Sequence, residues 1–262
     1  MLHVKRGGAL GRVIAVVNQK GGVGKTTTAV NLAAGLAVSD HPTLLIDLDP
    51  QGNATTGLGV SKDQLYPTIY HVLLGGESLE KAARETILTN LFLVPADIDL
   101  VGAEVELVGL SERESKLKGA LGGAREKFDY ILLDCPPSIG LLTVNALTAA
   151  DAVLVPLQCE YYALEGLAHL LKTIRLVKDR LNPRLEVEGI VLTMFDGRTS
   201  LAGQVKAEVH RYFSGQIFQT VIPRNVRLSE APSHGKPILL YDVRSTGAVA
   251  HLELTKEVLA HG

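Results

Sequence analysis

Ten residues constrain this chain more than any others: Asn18-Gln19-Lys20-Gly21-Gly22-Val23-Gly24-Lys25-Thr26-Thr27, which follow the apolar run Val13–Val17 and open a helix-like stretch from Thr26 to Val38. The order is strand, glycine-rich loop, helix. Glycines free the loop's N–H groups, and the positive end of the helix dipole lies behind them, so the segment is built to hold an anion. Gly21, Gly22, Val23, Gly24 and Thr27 supply the cradle. In such a loop Lys25 reaches the β/γ-phosphates of a nucleotide and Thr26 holds Mg²⁺. An exposed lysine on an ordinary glycine turn is the rival reading, and the flanking strand and helix disfavour it.

The usual phosphate loop has glycine where this chain has Gln19, and Lys20 comes too early to be the ordinary phosphate lysine. A long cationic side chain leaving the loop there can reach a phosphate on a neighbouring subunit, which would tie nucleotide binding and catalysis to dimerisation. The alternative is a solvated lysine.

Short β-branched runs alternate with helical patterns along the chain: Arg12–Val17, Thr43–Asp47, Leu91–Pro95, Tyr130–Asp134, Ala152–Pro156, Val187–Thr193 and Gln216–Ile222 read as strands. Several are apolar without alternation, as expected of strands covered on both faces. The expected fold is α/β: a doubly wound, mostly parallel sheet flanked by helices on both faces. Residues 12–262 read as a single domain behind a short, flexible extension, 1–11. Ser111–Arg125 is polar enough for a solvated helix or loop.

Two further motifs fall at strand ends, where ligands bind in such sheets. Asp47 and Asp49 are two residues apart and face one side, towards the loop. Asp-Pro is also a common turn opener. Asp134 closes the apolar run Tyr130–Leu133, a pattern whose carboxylate accepts from Mg²⁺-bound water, and Cys135-Pro136-Pro137-Ser138 follows it.

With 262 residues, 46% hydrophobic, the chain can bury a large core, and its net charge of −2 excludes a global field for nucleic acid or anionic lipid. Any DNA contact must be a local patch. Cys135 and Cys159 form no Cys-x-x-Cys pair and suit reduced core thiols. The eight histidines lack paired metal spacing, so no protein-ligated transition metal is expected. No apolar run reaches the roughly eighteen residues of a membrane span. Thr246–Ala260 reads as a packing helix, not a membrane anchor, and the protein is expected to be soluble and cytoplasmic.

Lys20-Gly21-Gly22-Val23-Gly24-Lys25-Thr26 resembles the signature of the ParA/MinD superfamily of dimeric ATPases, and Asn18-Gln19 resembles its ParA/Soj chromosome-partitioning branch. Gln51–Gly59, Gln158–Gly166 and Pro223–Ser233 are similar to Soj-like segments, extending the likeness from about Val13 to Leu259. The resemblance implies ATP and Mg²⁺ as cofactors and a homodimer formed on ATP binding. It implies that Asp49 positions the attacking water and Asp47 lies near Mg²⁺, with Met194, Pro223 and Arg224 lining the adenine. It also implies that Arg198 and Arg227 belong to a surface for nonspecific double-stranded DNA, that a ParB-like protein stimulates hydrolysis, and that the protein associates with the nucleoid. No helix-turn-helix domain precedes the loop, as in the small chromosomal type. The runner-up is a MinD-like membrane ATPase, and a third reading is an enzyme that phosphorylates or amidates a metabolite.

Overall fold

A computed structural model describes residues 10–62, 65–160, 163–213 and 215–261; the expected extension lies mostly outside them. Eight strands form one sheet: β1 (Arg12–Val16), β2 (Thr43–Asp47), β3 (Arg84–Glu85), β4 (Leu91–Val94), β5 (Tyr130–Asp134), β6 (Ala152–Gln158), β7 (Glu186–Phe195) and β8 (Ile217–Pro223). Their order is β3-β4-β2-β5-β1-β6-β7-β8. All neighbours run parallel except the two-residue β3, which pairs antiparallel with β4 and is too short to leave a sequence pattern. The mostly parallel sheet expected from the sequence is therefore the one observed.

Successive residues of each central strand serve different cores. Val13 and Ala15 enter one apolar cluster while Ile14 and Val16 enter the other, and Ile131 and Leu132 divide likewise. The helices Leu100–Leu107, Leu141–Ala149 and Ala163–Arg180 cover the first face; Lys25–Val38 and Thr246–His261 cover the second. That is why the strands are apolar without alternation. Each fully buried aliphatic side chain contributes about 1.5–3 kcal/mol.

The C-terminal helix docks along Lys25–Val38 and β8 with His251, Leu254, Thr255 and Val258 buried, so it packs as expected. Gly35 is required at that seam because a Cβ there would overlap the Thr255 hydroxyl. Ser111–Arg125 departs from its expectation. It carries short helices at Lys116–Ala120 and Ala124–Lys127, and Leu117, Leu121 and Ala124 bury one face that the surrounding charges obscure in the sequence.

Chain order reverses at β1, which lies between β5 and β6. This switch point opens a crevice at the carboxyl end of β1. The glycine-rich loop leaves the sheet there.

Candidate nucleotide site

The loop is clamped on both sides. Asn18 donates its amide N–H to the Pro156 carbonyl at 2.7 Å and accepts from the Lys20 N–H at 3.0 Å, fixing the loop's start to β6. The Thr193 hydroxyl donates to the Val23 carbonyl at 2.8 Å, fixing its end to β7. Pro156 fits inside a parallel strand because its missing N–H faces the side where β1 has already left the ladder. Gly22 and Gly24 have φ of 76° and 87°, the left-handed region open to glycine. No side chain caps the helix Lys25–Val38, and its first turn holds no carboxylate. Its N-terminal N–H groups and dipole are left for an anion.

Lys25 is the first helical residue, buried, and donates from Nζ to the Lys20 carbonyl at 3.0 Å. Burial lowers its pKa, while the carboxylates of Asp134 and Asp49 pull the other way. The sheet register sets Asp134 directly opposite Asp47, with Val16 on its other side. Lys25, Asp47, Asp49 and Asp134 thus share one electrostatic neighbourhood.

The carboxylates differ in what they already hold. Asp47 accepts the Thr55 N–H and hydroxyl, both at 2.8 Å, and the Asp49 N–H at 3.1 Å. Desolvation nevertheless raises its pKa to about 6. Asp49 accepts the Gln51 N–H at 2.9 Å, so it also opens a turn. Asp134 is fully buried, and neither oxygen has a formed hydrogen bond. The nearby Thr26 hydroxyl favours its charged form, but burial dominates and moves its pKa well up. A bare buried carboxylate beside a threonine hydroxyl fits a Mg²⁺ ion with its bound water. No group of three or more carboxylates, imidazoles or thiols among the described residues is arranged to hold a metal ion by itself, so phosphate oxygens and water would complete the shell, as is usual for Mg²⁺.

Beside the loop lies a cavity of about 270 Å³ lined by Gly24 and Thr27 of the phosphate cradle, by Met194, Pro223 and Arg224, the residues expected at the base, and by His251. Met194 has φ of 47°, rare for a side chain of its type, and this bend ends β7 over Gly24.

Residues 11–187 match the family model described as an AAA domain. The chain is 56% identical to the sporulation initiation inhibitor protein Soj of Bacillus subtilis over 97% of this chain and 100% of that protein. It is 57% identical to the chromosome partitioning protein ParA of Myxococcus xanthus over 95% of this chain and 88% of that one. The chain belongs to the ParA/Soj family of ATPases. Among solved structures, this ParA/Soj chain superposes with TM-score 0.85 on a Mycobacterium smegmatis protein described as cobyrinic acid a,c-diamide synthase with bound ADP and magnesium, 39% identical over 96% of this chain and 95% of that one.

The other candidate residues of this ParA/Soj chain do not line that cavity. Phe195 pairs with Pro223, so the segments carrying Arg198 and Arg224–Arg227 leave neighbouring strand ends. Arg198 is exposed but forked onto Asp196, at 2.8 and 2.7 Å, which holds that carboxyl down at about 2. Arg227 pairs with Glu230 at 2.9 Å and with Asp242 at 3.5 Å. The exposed Lys20 is ion-paired with Glu160. Cys135 is buried, whereas Cys159 is only partly so, its thiol pushed up to about 11 by burial. The sequence assigns no separate role to Asn18, Glu160 or His251.

Proposed function

We propose that this ATPase is a nucleotide-gated dimeric switch that binds DNA nonspecifically and hydrolyses ATP slowly in chromosome or plasmid partitioning. The observation that carries the reading is the buried, unpartnered carboxylate of Asp134 beside Lys25 and Thr26, next to a cavity lined by Met194, Pro223 and Arg224. Lys25 and the loop N–H groups of residues 21–27 bind and orient the phosphates. Thr26 and Asp134 would hold Mg²⁺, Asp134 through water, with Asp47 nearby holding the Thr55 segment in place. When bound, the ion neutralises charge on the phosphate oxygens. Asp49 orients the water that attacks the γ-phosphorus as the bond to ADP breaks.

Lys20 acts on the nucleotide of a second subunit. An exposed apolar stripe supports association on this face: Ile98, Val101, Val105 and Val108 lie along Leu100–Leu107 and its flanks. Ile98 adjoins Pro50 and Gln51, and Glu104 lies against Gly140 beyond Pro136–Ser138. The segments that follow Asp49 and Asp134 therefore border the stripe. The chromosome partitioning names of several relatives support a ParB-like partner and a place on the nucleoid.

The amidating reading draws support from the name of the mycobacterial structure, 39% identical, whereas relatives named as chromosome partitioning proteins are 57% and 53% identical. Cosedimentation with DNA and with liposomes, each with ATP, ADP or no nucleotide, tests the proposal. ATP-dependent pelleting with DNA alone is expected. Pelleting with liposomes alone favours the membrane ATPase, and binding to neither overturns the DNA switch.

A further inference from the structure

β1 gives way to the phosphate loop at Asn18, whose side chain is buried. The Val17 N–H donates to the Leu154 carbonyl at 3.1 Å, and one step on the Asn18 amide takes the place of the backbone, donating to the Pro156 carbonyl at 2.7 Å. Carbonyls two residues apart on a strand point the same way, so the amide supplies the next rung of the ladder. The oxygen of the same side chain accepts the Lys20 N–H at 3.0 Å, an Asx turn that swings the chain out of the sheet. A carbonyl only accepts and a backbone N–H only donates, so these two partners fix which way the amide points.

Lys20 is thereby held at both ends of its backbone. Its N–H is taken by Asn18 and its carbonyl by Lys25 Nζ at 3.0 Å, while its own side chain is exposed and leaves the loop towards Glu160. Lys25 is also the counter-charge for an incoming phosphate, so nucleotide binding competes for that hold. It does not compete for Asn18, which is buried against β6. A long flexible side chain must be ordered before it can reach a phosphate, and backbone torsions left loose beneath it raise that cost. No other short side chain does both jobs: aspartate has no N–H for Pro156, serine accepts from Lys20 but falls short of β6, and glutamine adds a methylene to both bonds.

We propose that Asn18 is a positioning residue for the step that spans two subunits: it fixes the Lys20 backbone so that the Lys20 ammonium is presented outward, to the phosphates of a neighbouring subunit's nucleotide. The inference rests on the cross-subunit role of Lys20 given above and adds the residue that aims it. Asn18 acts through Lys20 alone and touches neither nucleotide nor metal.

The test compares Asn18→Ala and Asn18→Ser with the wild type and with Lys20→Ala, all as the full chain. Calorimetry with ADP reads the site within one subunit, light scattering over a concentration series with ATP reads dimerisation, and steady-state hydrolysis separates kcat from KM. Asn18→Ala is expected to weaken ATP-driven dimerisation and lower kcat by about tenfold each, the effect of one buried hydrogen bond, while ADP affinity and KM stay within about threefold. Serine keeps an acceptor for the Lys20 N–H and loses the link to Pro156, so Asn18→Ser should recover dimerisation and kcat to within about threefold of the wild type. Asn18→Leu, which keeps the volume and removes both bonds, takes the place of the alanine variant if that one does not fold. A parallel loss of ADP affinity, or a serine variant no better than the alanine one, marks a structural role through β6 and overturns the inference. Wild-type dimerisation and kcat in a folded Asn18→Ala, where Lys20→Ala loses both, overturn the inference alone. Wild-type behaviour of Lys20→Ala overturns the cross-subunit reading as well.

Discussion

Lys20 of the phosphate loop is ion-paired within its own chain to Glu160, just beyond the end of β6. Their side chains are 51% and 43% exposed, so the pair is worth about 0–1 kcal/mol and cannot lock the lysine in place. Glu160→Gln should therefore change ATP-driven dimerisation by less than about fivefold. Lys20→Ala should keep mononucleotide affinity while losing dimerisation and hydrolysis. Light scattering with ATP checks both, and a Lys20→Ala dimer with unchanged turnover would sink the cross-subunit role.

Lys25→Ala should abolish measurable nucleotide binding. The buried ammonium is the counter-charge for incoming phosphate and for Asp134 and Asp49. Truncating one partner of such a buried charge pair costs about 2–5 kcal/mol, a loss of thirtyfold or more. Wild-type ATP affinity in the variant would refute the site.

Asp49→Ala should bind ATP and accumulate as a dimer able to bind DNA. The substitution removes the carboxylate proposed to position water and one turn bond to Gln51, while Lys25, Thr26 and Asp134 remain. Size-exclusion chromatography with ATP is the check, and a variant that binds ATP but stays monomeric counts against the role.

The sequence carried the sheet and the phosphate loop because both are local: apolar runs set the strands, and glycines beside Lys25 set the loop. It also placed Asp47 and Asp134 at strand ends, but not their difference. Asp47 is occupied by Thr55, eight residues away, and Asp134 is bare, a contrast that only tertiary packing creates. Glu160 and His251 were illegible as site residues for the same reason. Each reaches the loop or its cavity from an element more than a hundred residues away in the chain. The carboxylates that neutralise Arg198 and Arg227 were in plain view in sequence, but their pairing depends on side-chain geometry.

Those pairs give the DNA prediction its sign. Arg198→Ala and Arg227→Ala should each weaken binding alike on every sequence, because phosphate contacts carry no base information. Loss of one contact from each subunit of a dimer should lower the slope of log K against log salt by about 2. Asp196→Asn, which releases the Arg198 fork, should strengthen DNA binding and leave ATP binding unchanged. If both arginine variants dimerise normally and retain wild-type affinity and salt slope, the patch lies elsewhere.

His251 also gives stability a dependence on pH that can be read without nucleotide. Its folded pKa of about 4 lies below the ordinary 6.5, so between these values the unfolded chain binds the proton that the folded protein refuses. Stability is then complete above pH 6.5 and falls as pH drops towards 4, by about 2 kcal/mol at pH 5. Asp47 acts in the opposite direction, because its raised pKa favours the folded state as pH falls below about 6. The two effects mask each other in the wild type alone. The difference between wild type and His251→Phe cancels the carboxylates and isolates the imidazole. Urea unfolding at pH 7.5 and pH 5 should show the variant losing about 2 kcal/mol less than the wild type between the two conditions. Equal losses would mean that the ring is protonated in the folded protein.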